Sequence, residues 1–285
     1  MTDEAKSVLI TGCSTGIGHE TARHLADRGW RVYATARRPE TLGDLAEAGC
    51  ETLALDVTDE ASMTAAVNAM TEAEGSIYGL VNNAGYSQSG AIESVELDSV
   101  RRQFETNVFG LIRMCQLVLP GMRAANAGRI VNISSMGGRL TFPGGGIYHA
   151  TKHAVEAISD ALRFEVRGFG IGVVCIEPGL IRTEFGNAAV SSLAEGTAGA
   201  DGPYAEFNAH VGKLTAGAYD SGALAKLGGG PDAVAKKIEK ALSARRPRPR
   251  YRVTASAHLA LAQRRMVTDR TWDAIMRTQF PTPGK

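Results

Sequence analysis

Short apolar runs recur along the first 180 residues, each followed by a polar turn and a stretch of helical periodicity. Ser7-Val8-Leu9-Ile10, Arg31 to Ala36, Leu53 to Val57, Gly79-Leu80-Val81, Ile130 to Ile133 and Ile171 to Ile176 read as buried strands. Helical stretches run from His19 to Arg28, from Asp59 onward, across residues 100–123 and from Tyr148 to about Arg167. The alternation predicts a run of βα units without internal repeats. After residue 180 the pattern changes. Residues 184 to 230 are rich in Gly, Ala and Ser, with Phe185, Val190, Leu193, Tyr204, Phe207 and Leu214 interspersed, which predicts a mobile lid of short helices. Gly228-Gly229-Gly230-Pro231 closes it. An amphipathic helix from Asp232 to Leu242, an edge strand from Tyr251 and a helical tail over residues 256 to 280 complete the chain.

With 285 residues, 44% of them hydrophobic, the chain can bury a substantial core, and residues 1–285 are read as one domain. The formal net charge of +1 gives no general affinity for nucleic acid or an anionic membrane. Met1 to Lys6 lacks the apolar segment of a secretory signal, and no stretch reaches the roughly 18 apolar residues of a membrane-spanning helix, so a cytoplasmic protein is expected. Cys13, Cys50, Cys115 and Cys175 are scattered, with neither metal-ligand spacing nor a disulfide framework.

Candidate chemistry begins after the first strand, where Gly12-Cys13-Ser14-Thr15-Gly16-Ile17-Gly18 leads into a helix. Glycines at 12, 16 and 18 allow a tight turn and let bare backbone approach a pyrophosphate, with free helix N–H groups facing the anion. The second strand ends in Arg37-Arg38, where a dinucleotide's adenosine ribose should lie. Guanidinium forks match a 2′-phosphate, so NADP(H) is expected over NAD(H), unless the arginines merely solvate the strand end. At the next strand end Asp56, followed by Val57, is placed to accept from the adenine amino group or to start the next helix. Tyr148 and Lys152 stand four residues apart, on one helix face. A fixed ammonium beside a phenol favours the phenolate and makes the tyrosine a proton shuttle.

Four motifs together resemble the short-chain dehydrogenase/reductase family over roughly residues 5 to 255. They are Thr11-Gly12-x-x-x-Gly16-Ile17-Gly18, Asn82-Asn83-Ala84-Gly85, Ser135 thirteen residues before Tyr148, and Tyr148-x-x-x-Lys152. The resemblance implies an α/β fold, a doubly wound parallel sheet of the Rossmann type. It also implies that Tyr148 exchanges a proton with a carbonyl or alcohol oxygen that Ser135 fixes, and that Lys152 also holds the nicotinamide ribose. Asn107 would order a water in a proton relay. Asn83, Ala84 and Gly85 would line the cofactor, and Pro178-Gly179, Ile181 and Thr183 match the segment closing over the nicotinamide. Ser134 is the neighbour whose hydroxyl would face away. Cys13-Ser14-Thr15 and Val32 to Arg37 look most like the 17β-hydroxysteroid and retinol dehydrogenase subset.

The substrate implied is a small apolar ketone or alcohol, because the lid residues join Leu140, Phe142 and Pro143 around the cleft. Steroid, retinoid, fatty-chain ketone and quinone all stay open. A homo-oligomer, dimer or tetramer, is implied, with the helices near 100–123 and 148–167 available for a dimer. The tail, absent from shorter family members, covers either the substrate cleft or a subunit surface.

Four other readings are weaker. Gly12-x-Ser14-x-Gly16 matches a hydrolase nucleophile turn, yet it follows the first strand and leaves no upstream loop for an oxyanion hole. His149 and His153 have metal-ligand spacing but lack an acidic partner and are expected to face solvent. The basic run from Arg245 to Arg252 lacks a phosphate-tracking helix or interleaved aromatics. A non-catalytic NADP(H) sensor on the same fold would be marked by loss of a catalytic residue, and none is lost.

Overall fold

Val8 and Ile10 turn to one face of a central sheet and Leu9 to the other, and all three are fully buried. Such a strand needs helices on both sides, which is the condition under which parallel sheets occur. A computed structural model describes residues 6–196, 202–220 and 225–284. It contains seven strands, β1 (Ser7–Ile10), β2 (Arg31–Ala36), β3 (Glu51–Ala54), β4 (Gly79–Asn82), β5 (Gly128–Ile133), β6 (Ile171–Pro178) and β7 (Arg250–Val253). They form one sheet in the order β3-β2-β1-β4-β5-β6-β7, every pair parallel.

Helices α1 (Gly16–Ala26), α2 (Gly43–Glu47) and, late in the chain, α9 (Pro231–Ser243) cover one face. Helices α3 (Glu60–Glu74), α5 (Gly110–Ala124) and α6 (Gly146–Glu165) cover the other. The intervening numbers belong to α4 (Leu97–Phe104), which runs into α5 through a widened turn at Glu105–Phe109, and to α7 (Phe185–Gly196) and α8 (Ala205–Asp220) after the sheet's sixth strand. Val234, Ile238 and Leu242 of α9 are fully buried in the first layer, and Met70, Met114, Met122 and Val155 in the second. The strand order reverses direction between β1 and β4, so a crevice opens beyond their carboxyl ends.

The third strand ends three residues before the sequence pattern suggests. Leu55 still donates to Ala36, but Asp56 then turns the chain by accepting from the Thr58 backbone and hydroxyl at 2.9 and 2.7 Å. Helix α1 begins at Gly16, so the last glycines of the turn are its first residues. The tail is two helices, α10 (Ala255–Met266) and α11 (Asp269–Gln279), divided where Thr268 caps the second. Two arginines of the basic run pair with acidic side chains. Arg250 pairs with Glu156 and Asp160, and Arg252 with Glu177 at 3.3 Å, so these charges serve the sheet edge. No helix among the described residues is long and apolar enough to cross a membrane.

Candidate active site

At the crevice lies a cavity of about 1210 Å³, running from the glycine turn to the last two helices. Its first end is shaped by close backbone contacts. Gly12 has φ +72°, and a Cβ there would lie 2.9 Å from Ala84 Cα. Asn83 staples the turn, its Nδ2 donating to the Thr11 and Gly12 carbonyls at 2.9 Å each, while Thr11 Oγ1 accepts from Asn83 and Ala84 N–H. Ser14, Thr15, Gly16 and Ile17 line the cavity, and Gly18 lies buried beneath them. No side chain caps α1 at Thr15, so its first N–H groups face the cavity available to an anion. Cys13 is enclosed, and burial pushes its thiol up to about 12, so it stays protonated.

Arg37 reaches the cavity wall at the end of β2, whereas Arg38 stands exposed outside it. Neither guanidinium forms an ion pair with a carboxylate of the described residues. Asp56 and Val57 line the same end. The helix after them is capped by Asp59, which accepts from Ala61 and Ser62, so Asp56 faces the cavity rather than starting the helix. The residues at this end therefore suit a dinucleotide: bare backbone for the pyrophosphate, an unpaired guanidinium and a carboxylate.

Ser135, Tyr148 and Lys152 share one wall farther in. Ser135 caps a short turn, its Oγ accepting from Gly137 N–H at 3.0 Å, and Ser134 keeps its hydroxyl buried. Lys152 Nζ donates to the Ile133 carbonyl at 2.8 Å and lies 5.8 Å from the Tyr148 ring centre. Burial pulls the Lys152 ammonium down to about 8, an effect partly offset by Cys175 and Glu156. Asn107 does not reach the cavity wall. Its amide is spent on the loop at Tyr86 and on Thr151, whose hydroxyl in turn donates to the Tyr148 carbonyl. Its Oδ1 nevertheless approaches Gly85, as Lys152 Nζ does, the two lying 3.0 and 3.7 Å from a Cβ built there.

The segment after β6 closes the cavity's flank. Pro178, Gly179, Ile181 and Thr183 all line it, and Thr183 comes within 3.4 Å of a Cβ built on Gly16. Ile181 forms a parallel bridge with Gly229, made by Leu180 C=O and Arg182 N–H. In such a bridge the residue's own N–H and C=O point to the opposite edge, where they are available to a ligand.

The other end of the cavity is an apolar arm. Phe142, Pro143, Phe185, Val211, Leu214 and Leu259 contribute to it, and Trp272, Ile275, Met276 and Phe280 of the tail complete it. Of the lid residues singled out, Phe207 is buried against Ala91 and Val211, with Leu193, Tyr204 and Phe280 packed on that cluster. Leu140 is 2% exposed and absent from the lining, because its side chain fills the core behind the loop rather than facing the cleft. His153 is exposed as expected, but His149 is not. Its ring lies against Tyr148 and Phe142 in the cavity wall, with centroids 5.7 and 6.0 Å away, because Gly137 and Gly145 leave room for it.

Fold and site together define a nucleotide-binding α/β protein with a tyrosine and a lysine on the wall of its crevice. The family profile described as short chain dehydrogenase matches residues 6–193, and the chain belongs to the short-chain dehydrogenase/reductase family of oxidoreductases. It is 34% identical over 273 residues to the oxidoreductase YbbO of Escherichia coli, covering 95% of this chain and 94% of that one. It is also 34% identical to an NADPH-dependent 3-dehydrocapnine reductase of Ornithobacterium rhinotracheale, over 94% of both chains. A Burkholderia phymatum short chain dehydrogenase/reductase solved with NAD aligns with TM-score 0.78 and 26% identity, over 100% of this chain and 99% of its own. ElxO with NADP bound aligns at 0.71 and 26%, over 87% and 97%.

Proposed function

We propose that the chain is an NADP(H)-dependent oxidoreductase that interconverts an apolar ketone or aldehyde and its alcohol, with Tyr148 as general acid and base. The observation that carries this reading is the convergence of Ser135, Tyr148 and Lys152 on one wall between the dinucleotide end and the apolar arm. When bound, the dinucleotide supplies or takes the hydride. Ser135 donates to the substrate oxygen and fixes it, while Tyr148 gives that oxygen a proton in reduction and removes it in oxidation. Lys152, cationic below about pH 8, favours the phenolate after the proton has left and holds the ribose hydroxyls. Asn107 ties the Tyr86 loop to α6, and in this reading it orders the water of the proton relay.

The NADP(H) preference is supported by Arg37, and Gly12, Ser14, Thr15, Gly16, Ile17, Asn83 and Ala84 hold the phosphates and ribose in this reading. Asp56 and Val57 meet the adenine, and Gly179, Ile181 and Thr183 meet the nicotinamide. The NADPH dependence of the 3-dehydrocapnine reductase supports the same choice. We further propose a cytoplasmic homo-oligomer. Phe109 and Phe164, 53% and 82% exposed near α5 and on α6, support the association, and the buried, unpaired cysteines suit a reducing compartment. Fluorescence titration with NADPH and NADH, followed by a panel of apolar ketones and aldehydes, tests the reading. NADPH preference with turnover of at least one carbonyl is expected; NADH preference overturns the assignment of Arg37, and no turnover of any carbonyl or alcohol overturns the activity.

A further inference from the structure

Neither the fold nor the proton relay accounts for the placement of His149 in the cavity wall. Its ring occupies room left by two glycines. A Cβ on Gly145 would stand 2.7 Å from its Cε1, and one on Gly137 would stand 3.0 Å from its Nε2. The same point on Gly137 lies 3.4 Å from Ser135 Oγ, so Nε2 and the Ser135 hydroxyl both flank Gly137. The Phe142 backbone N–H donates to Nδ1 at 3.2 Å. An imidazole that accepts at Nδ1 carries its proton on Nε2, and the neutral ring is therefore a donor there. That donor finds no acceptor among the described residues and is not sealed off, on a ring that lines the cavity. Burial, with His153 nearby, pulls the ring's pKa down to about 4, which keeps it neutral throughout the working range.

The position of the ring gives this donor a meaning. His149 packs beside both Tyr148 and Phe142, and Phe142 in turn packs beside Trp272 of the tail, with centroids 6.0 Å apart. A substrate with its carbonyl at Tyr148 and Ser135 and its chain in the apolar arm must run past Nε2. The lining residues from the 142–145 loop, α8, α10 and α11 are all uncharged, and the one carboxylate beside Phe185 is Glu184. We propose that His149 is a specificity residue, whose Nε2–H donates to a second acceptor oxygen carried on the chain one or two carbons from the reacting carbonyl. The preferred substrate class is then an apolar-tailed carbonyl compound with a neighbouring hydroxyl, keto or ester oxygen. An ammonium in that place is disfavoured, because it would meet a donor. This inference rests on the proposed roles of Tyr148 and Ser135.

The test compares decane-2,3-dione with 2-decanone, taking the ratio of their kcat/KM values in wild type and in His149→Gln, His149→Asn and His149→Phe. Intrinsic reactivity cancels when the ratio is compared between variants. Gln keeps an amide donor near the Nε2 position, whereas Asn keeps only the acceptor for Phe142 N–H. Wild type and the Gln variant should favour the dione by similar ratios, and the Asn and Phe variants should lose about three- to tenfold of that preference. An unchanged ratio in the Phe variant, or an Asn variant that matches wild type, overturns the proposal; the latter would make the ring a structural prop. A parallel fall for both ketones also overturns it, since the donor would then serve the reacting carbonyl. Calorimetric titration of both ketones into NADP⁺-loaded protein gives the same ratio in Kd. If no carbonyl is turned over, the proposed activity fails while this binding ratio still decides the role of His149.

Discussion

Lys152 carries a charge that the fold encloses, and replacing it separates its cost to stability from its service to the site. The residue is 6% exposed, and its Nζ has a single acceptor among the described residues, the Ile133 carbonyl. Burial lowers its pKa from 10.5 to about 8. That gap corresponds to about 3 kcal/mol by which the ammonium disfavours the folded state below pH 8. Between pH 8 and 10.5 the unfolded chain holds more protons than the folded one, so stability climbs with pH and the penalty fades. Lys152→Met removes the penalty but orphans a carbonyl, at a cost of about 1 kcal/mol. Urea unfolding of the dinucleotide-free protein should show the variant roughly 2 kcal/mol more stable at pH 7 and roughly 1 kcal/mol less stable near pH 10.5. The same variant should be nearly inactive. A variant less stable than wild type at pH 7, or a stability difference independent of pH, would refute the reasoning.

Other residues give sharper local tests. Arg37→Glu should weaken NADPH binding about 10- to 100-fold in a fluorescence titration and leave NADH nearly unaffected, while Arg38→Glu should do less, being outside the cavity. Asn83→Asp keeps the shape but replaces the two N–H donors with a carboxylate facing the Thr11 and Gly12 carbonyls. It should cost about 2 kcal/mol or more, read as a fall of about 4–8 °C in Tm by circular dichroism. Trp272→Ala opens the arm beside Phe142, so kcat/KM should drop more for a ten-carbon ketone than for a four-carbon one.

The strands were legible because parallel strands are apolar on both faces, and Val8-Leu9-Ile10 needs no periodicity to declare itself. The glycine turn was legible because its constraint is local: the positive φ of Gly12 and Gly16 belongs to the backbone itself. The end of β3 was misjudged, since Leu55 and Val57 are apolar for the sake of α3 and α5, with Val57 pressed against Gly110. Residues that act across the chain were hidden. Thr151 and Asn107 meet over 44 positions, and nothing near either announces the other. The tail's apolar residues were visible as a stripe, but only the tertiary arrangement says that Trp272 and Met276 face the cleft. His149 was read by its spacing from His153 on a helix. The glycines that draw its ring inward sit before the helix in sequence, beyond what a helical face can reveal.

The proposed activity stands or falls on one phenol oxygen. NADPH-dependent reduction of an apolar ketone should be measured in wild type and Tyr148→Phe at matched, saturating NADPH, with the NADPH Kd taken on the same samples. A kcat lowered about 10²- to 10⁴-fold with the Kd little changed is the expected result. Turnover retained in the phenylalanine variant would contradict the account.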